Sequence, residues 1–232
     1  MANLLAIESS AALCSVALKI GQKVTFREQE GERSHTQFML SFIDELLHEK
    51  QCNVADLDAI VFSAGPGSFT GVRLATSVAK SLAYAGGIPV IPVSSLAVIA
   101  QGVARVTGSY SSCLVTTDAR MGEVYVGEYS FKNGIAQPVR PEMILAIDAL
   151  VFTDYQAHYL AGNAAGLLQN KPGIEHFELV SQAAHAQDLF FPAEDGLKTG
   201  ETQAALEAEA IYLRDKTSWK NVEQQKQEKK RG

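Results

Sequence analysis

Two carboxylates, two arginines and one glycine-rich turn are the side chains whose types and places could do chemistry in this chain. Glu8 and Asp118 each follow an apolar run, Leu4 to Ile7 in one case and Cys113 to Thr117 in the other. A carboxylate at the end of a buried strand can hold Mg²⁺ through water or position a nucleophile. It can equally cap its own turn by accepting backbone N–H bonds. Arg73 and Arg120 lie close in sequence to the glycine turn and to Asp118, so each can meet a phosphate or one of these carboxylates. With Ser10 and Gly67 they make up the candidate cleft set, Glu8, Ser10, Gly67, Arg73, Asp118 and Arg120, expected to face a nucleotide if one binds.

The glycine turn is Ser63-Ala64-Gly65-Pro66-Gly67-Ser68-Phe69-Thr70-Gly71-Val72-Arg73. An apolar run, Ala59 to Phe62, leads into it and a helical pattern from Thr70 to Ala85 leaves it, so it joins a buried strand to a helix start. Gly65 and Gly67 permit φ > 0, and Ser68 or Thr70 can cap the helix, whose outward N–H groups could receive an anion. Three motifs with a defined mechanism fail here. A Walker A loop needs Gly-Lys-Ser/Thr after four residues, whereas the basic residue is Arg73. A dinucleotide fingerprint needs glycine where Thr70 stands, and the next strand, Pro89 to Val93, ends in Ser94-Ser95 rather than an acidic residue. A nucleophile elbow needs a residue between Gly67 and Ser68. A tight turn shaped for packing is the competing reading.

Other chemistries are bounded by what is missing. Cys14, Cys52 and Cys113 form no Cys-x-x-Cys, which disfavours a zinc ribbon or disulfide framework and fits reduced thiols in a cytoplasmic protein. The histidines show no His-x-x-x-His spacing, so no helical metal pair is expected. His35, after Arg33-Ser34, is the histidine best suited to a surface role, and no nucleophile-plus-base pair is visible. No run reaches the ~18 apolar residues of a membrane span, and the start meets Glu8 without a basic region, so neither a membrane anchor nor a signal peptide is expected. The formal charge is −6 over 232 residues. Because Val222 to Gly232 is net basic, the preceding body is more acidic still. Such a body binds phosphate backbones poorly alone, so any RNA contact is expected through another subunit.

The elements that must position these residues fall into two halves. Leu4–Ile7, Leu13–Ile20 and Lys23–Gln29 read as strand, strand, strand, with a hairpin at Gly21-Gln22. A helix capped by Ser34 or Thr36 runs to about Lys50, another leaves the glycine turn, and a third spans Leu96 to Val106. Gly108 to Ser111 is the lobe boundary. Beyond it, strand, turn, strand and an Asn133-Gly134 hairpin echo the opening. Tyr159 to Gly166 reads as strand, glycine turn and helix; Ala183–Phe190 and Glu201–Ala210 read as helices. The expected organisation is a first lobe at 1–108, a second at 109–221 and a charged, frayed tail at 222–232, in a duplicated α/β fold with a cleft.

Two helices carry more apolar surface than one sheet needs. The first shows Phe38, Met39, Leu40, Phe42, Ile43, Leu46 and Leu47; the second aligns Ala75, Ala79, Ala83 and Gly86 beside Val72, Val78 and Leu82. Either both helices pack on their own sheet and each other, or one face is a partner surface. On the second reading, Phe38, Met39, Phe42, Ile43, Leu46, Ala75, Ala79, Leu82 and Ala83 form the interface, and Leu46→Asp would disrupt it.

Leu5 to Ser10, Glu32 to Gln37, Gly65 to Arg73, Asp118 to Tyr125, Ala161 to Asn163 and Tyr212 to Arg214 together closely resemble the TsaB (YeaZ) family of bacterial tRNA threonylcarbamoyladenosine biosynthesis proteins, over about residues 3–220. The resemblance implies an actin-like ATPase fold, the class of acetate kinase, sugar kinases, Hsp70 and actin. It implies a non-catalytic subunit that is a paralogue of TsaD. Such a subunit helps TsaD, with the ATPase TsaE, to move threonylcarbamoyl from its adenylate to adenosine beside the anticodon. It also implies pairing with TsaD, or with itself when alone, through first-lobe helices. No cofactor is expected on the chain itself; ATP and Mg²⁺ belong to the complex, and tRNA is met indirectly. The metal-binding histidine pair of TsaD has no counterpart here. Glu8-Ser9-Ser10 stands in place of the commoner Asp-Thr-Ser, and the basic tail is no family mark. A sugar-kinase-like phosphotransferase is the alternative; a glycoprotease-like hydrolase lacks both metal pair and nucleophile dyad.

Overall fold

The structure, a computed structural model, describes residues 2–31 and 35–214. The caps and motif residues expected at Glu32 to Ser34, the side chains of His35 and Thr36, and the charged tail lie outside what is described. Five strands form the first sheet: β1 (Leu4–Glu8), β2 (Leu13–Ile20), β3 (Lys23–Glu30), β4 (Ala59–Gly65) and β5 (Val90–Ser94), in the order β3-β2-β1-β4-β5. β1, β2 and β3 pair antiparallel through short turns, while β4 and β5 run parallel to β1. Helices supply the parallel crossovers: α1 (His35–Glu49) precedes β4, α2 (Phe69–Gly86) joins β4 to β5, and α3 (Ser95–Thr107) leaves β5.

A second sheet repeats the plan. β6 (Cys113–Arg120) pairs antiparallel with β7 (Glu123–Lys132), which pairs in turn with β8 (Ile135–Pro138) and β9 (Met143–Ala146). β10 (Tyr159–Ala161) and β11 (Glu178–Val180) add in parallel on the other side of β6. Asn133 and Gly134 both have positive φ, as their two-residue hairpin requires. Two sheets with one topology, antiparallel on one flank and parallel on the other, make the two α/β lobes of a duplicated plan.

Period-two alternation sends each central strand to two cores. Leu4 and Ala6 of β1, Ala59 and Val61 of β4, and Cys113 and Val115 of β6 face the layer between the sheets. α3 fills that layer and is buried almost all round, from Ser95 to Ala104. Its Gln101 amide bonds Gly134 and Ala136 of the second lobe at 2.9 and 3.1 Å. Its Arg105 forks onto the buried Asp188 carboxylate at 2.6 and 3.1 Å. Burial pushes the Asp188 carboxyl up, against the opposing pull of Arg105. The opposite faces of the strands, Leu5, Ile7, Ile60 and Phe62 in the first lobe, pack under α1 and α2.

Three expectations are corrected. Ala75, Ala79 and Ala83 of α2, and Met39, Ile43 and Leu46 of α1, are buried inside this first-lobe core rather than presented to a partner. Small residues here let α2 lie close on its own sheet, and Gly86 sits against Val54. The C-terminal helices fall elsewhere: a short 3-10 turn at Ala186–Leu189 leads into α5 (Phe190–Thr199), while Glu201–Ala210 is irregular, with a single turn closed by Glu207 N–H on the Ala204 carbonyl. Backbone bonds hold it so, Val90 with Gln203 in both directions at 2.9 and 3.0 Å, and Ala205 and Ala208 are buried; these override the helical tendency of an Ala- and Glu-rich run. As a result the chain after the second sheet returns to the first lobe, and one boundary at residue 108 does not separate the two.

Close backbone approach explains the glycines that matter most. A Cβ on Gly71 would stand 1.8 Å from the Ser9 carbonyl oxygen. Gly71→Ala should therefore lower the stability in urea by about 3 kcal/mol. Gly166→Ala, where nothing lies within 4 Å, should leave it unchanged or slightly raised.

Candidate functional site

A cleft of about 630 Å³ opens between the lobes. Its floor is the first part of α3, Ser95 and Ile99; one wall is the turn after β1 with the glycine segment, and the other is the β6–β7 hairpin with Gly162 and Asn163. Residues 181–184 and 211–214 complete the rim.

On the first-lobe wall the chain binds itself closely. Ser68 N–H donates to the Ser10 carbonyl at 2.7 Å, Ser68 Oγ accepts from Gly71 N–H at 3.4 Å, and Ser9 Oγ donates to the Gly71 carbonyl at 2.8 Å. Gly67 is needed because a Cβ there would meet the Ser10 oxygen at 2.3 Å. Two N–H groups at the α2 start, the feature that suggested an anion site, are thus already engaged by the chain. Ser63 Oγ and Ser95 Oγ bond at 2.6 Å beneath, tying β4 to α3.

Glu8 does not face the cleft. It is fully buried, and its carboxylate accepts the Ser10 N–H at 2.5 Å, which is the turn-capping role. Beside it, burial and then the Glu8 charge push the Cys14 thiol up to about 11. Cys113, in the central layer, is pushed up to about 12 by burial alone.

On the second-lobe wall Asp118 does line the cleft. Its N–H donates to Asn163 Oδ1 at 2.8 Å, while its carboxylate accepts from Arg120 N–H at 2.7 Å and from Arg120 Nη1 at 3.1 Å. Arg120 and Met121 carry φ of 64° and 57° at the hairpin tip. Gly162 repeats the first-lobe device: a Cβ would meet the Thr116 oxygen at 2.2 Å, and Ala164 N–H donates to that oxygen at 3.2 Å.

Of the six expected cleft residues, Ser10, Gly67, Asp118 and Arg120 line it, and Glu8 and Arg73 do not. Arg73 stacks over the Phe69 ring at 3.7 Å and donates from Nε to the Tyr212 hydroxyl at 3.1 Å. Asn163, Tyr212 and Arg214 were not among the expected site residues. Asn163 was findable from lobe symmetry, because it follows β10 as Gly67 follows β4. Tyr212 and Arg214 were not, since nothing local tells an extended strap from a helix end.

Actin-like folds imply a nucleoside triphosphate with Mg²⁺ in such a cleft. The residues here do not fit one. The helix start is taken by Ser10 and Ser68, Asp118 is engaged with Arg120, Glu8 points inward and no lysine is among the described residues of the walls. Among the described residues no cluster of three His, Cys, Asp or Glu could hold a metal ion, and no helix is long and apolar enough to cross a membrane.

Known proteins resemble the chain over nearly its whole length. The sequence model of the family described as TsaD, tRNA N6-adenosine threonylcarbamoyltransferase, matches residues 26–217. The tRNA threonylcarbamoyladenosine biosynthesis protein TsaB of Escherichia coli K12 is 33% identical over 95% of this chain and 98% of its own length. The TsaB protein of Haemophilus influenzae is 30% identical over 95% and 97%. Among solved structures, YeaZ from Pseudomonas aeruginosa superposes with a TM-score of 0.81 at 32% identity, covering 92% of this chain and 100% of that one. A second P. aeruginosa structure, of an uncharacterised protein similar to peptidase YeaZ, gives 0.85 at 34% with the same coverage.

Thiol chemistry separates the buried from the accessible. At pH 8 Cys14 and Cys113 stay protonated and enclosed, so iodoacetamide should modify only Cys52 in the native protein and all three thiols in denaturant, as read by peptide mass spectrometry.

Proposed function

Because the chain belongs to the TsaB (YeaZ) family of tRNA threonylcarbamoyladenosine biosynthesis proteins, we propose that it serves that modification as a non-catalytic scaffold and activator subunit. In this role it holds a TsaD-type transferase in a transfer-competent state, while a TsaE-type ATPase brings ATP and Mg²⁺ to the complex. The reaction is transfer of threonylcarbamoyl from its adenylate to adenosine next to the anticodon, in the cytoplasm, with tRNA held by the partners. Alone, the chain pairs with a second copy through the surface that otherwise meets the transferase.

The observation that carries this reading is the apolar surface left over on α1 and α2. Met39, Ile43 and Leu46 are buried, yet Phe38 and Phe42 beside them, stacked with centroids 5.7 Å apart, are only half-buried. On α2, Leu74, Val78 and Leu82 form a half-buried row next to the buried alanines. Stripes of this kind suit helix-on-helix packing with a partner. On the cleft walls, Ser68 and Asp118 bond within their own turns, which suits the non-catalytic half of the proposal.

Burial decides which substitutions test the interface. Leu46→Asp puts a carboxylate into the core and should prevent folding. Phe42→Asp and Leu82→Asp should leave the melting temperature within a few degrees of the parent. They should nevertheless abolish co-elution with the transferase and formation of the modified adenosine in a reconstituted assay. Folded variants that still assemble and support modification would sink the interface. ATP turnover by the isolated chain would instead favour the phosphotransferase reading.

A further inference from the structure

The segment after α5 behaves as a strap over the cleft. Gln203 pairs with Val90, Lys80 Nζ donates to the Ala208 carbonyl at 2.8 Å, and Ile211 N–H donates to the Ala64 carbonyl at 2.7 Å, all in the first lobe. Gly65, with φ of 103°, makes room for it, because a Cβ there would meet the Ile211 oxygen at 2.8 Å. Tyr212 then packs on Phe69, with centroids 6.3 Å apart, and takes the Arg73 hydrogen bond.

Two residues later the strap reaches the other lobe. Arg214 Nη2 donates to the Ala119 carbonyl at 2.9 Å and pairs with Glu123 Oε2 at 2.5 Å, and Nη1 approaches the Met121 sulfur at 3.9 Å. The Arg214 side chain is 15% exposed and Glu123 33%, so the pair is partly screened from water. Ala119 and Glu123 flank the hairpin tip that carries Arg120 and Met121, the second-lobe lip of the cleft. Gln101 of α3 ties the lobes at the opposite edge, and among the described residues Arg214 adds a tie at the open end.

We propose that residues 211–214 form a latch: Ile211 and Tyr212 anchor it on the first lobe, and Arg214 engages the β6–β7 hairpin to set how far the cleft opens. Whatever draws Arg214 from Glu123 and Ala119 frees the hairpin tip and admits a ligand or partner segment to the cleft. Arg214 is a positioning residue: its Nη2 serves the Ala119 carbonyl and the Glu123 carboxylate together, while Nη1 lies against Met121.

Hydrogen exchange followed by mass spectrometry on the full-length protein tests the latch. Arg214→Ala should speed exchange at least tenfold in peptides covering Ala119–Tyr125 and Ile211–Leu213, with α1 and the β2–β3 hairpin unchanged. Arg214→Lys, keeping the charge but not the fork, should fall between parent and Ala. Glu123→Gln, which leaves the carbonyl contact, should give a smaller rise confined to the same peptides. Unchanged exchange at 119–125 in Arg214→Ala would overturn the latch. So would an equal rise throughout the chain, which would make Arg214 a general stabiliser. If Arg214→Ala does not fold, Glu123→Gln decides between the same outcomes.

Discussion

The structure depends on one close contact, the carbonyl oxygens of Ser9 and Ser10 lying against the glycine segment at Gly67 and Gly71. Nothing but hydrogen fits at these two α-carbons. The contact brings the end of β1 onto the start of α2, which fixes the helix over the first sheet and places Ser68 to donate to Ser10 and to cap its own helix. From that position α2 can bury Ala75, Ala79 and Ala83 on the strands, because small side chains are all the spacing permits. Gly162 against Thr116 is the same solution in the second lobe. A duplicated fold has thus kept its backbone geometry where its side chains have diverged.

That geometry also decides what several polar groups around the cleft are engaged with. A helix start can receive an anion only while its N–H groups point at open space. Here the Ser10 carbonyl and the Ser68 hydroxyl answer two of them. Glu8 accepts from Ser10 N–H and Asp118 from Arg120 N–H, so each carboxylate stabilises its own turn. Pattern alone could not have decided this, because a carboxylate after a strand is equally suited to capping and to ligation.

What was legible in the sequence follows from which forces are local. Alternation marked Leu13–Ile20 and Glu123–Phe131, apolar runs marked Leu4–Ile7 and Ala59–Phe62, and Asn133-Gly134 marked its hairpin, since side-chain pattern and turn chemistry reside in neighbouring residues. The paired topology of the lobes was legible for the same reason. Apolar stripes were legible as stripes, but not by destination: Ala79 and Leu82 lie on adjacent faces of one helix, and only the completed sheet shows that the first is covered. The C-terminal region was misread because its conformation is imposed from afar. Ala204 to Ala210 has helical composition, yet Val90 and Ala64 hold the run around it extended. Long-range backbone pairing leaves no periodicity to find.

Charge placement completes the connection between fold and role. The chain is acidic overall, and a phosphate backbone is repelled by most of such a surface. Three arginines nevertheless gather around the cleft mouth, and each is engaged locally. Arg73 stacks on Phe69, Arg120 closes the Asp118 turn and Arg214 bridges to Glu123. Arginine suits these places because its planar group stacks and forks where lysine can do neither. Of the three, Arg214 alone reaches from the first-lobe strap to the second lobe. Phe38 and Phe42 of α1 and Leu74, Val78 and Leu82 of α2 leave a half-buried apolar band on the first lobe. On the proposed reading the chain acts through that band, by shape and contact with a partner.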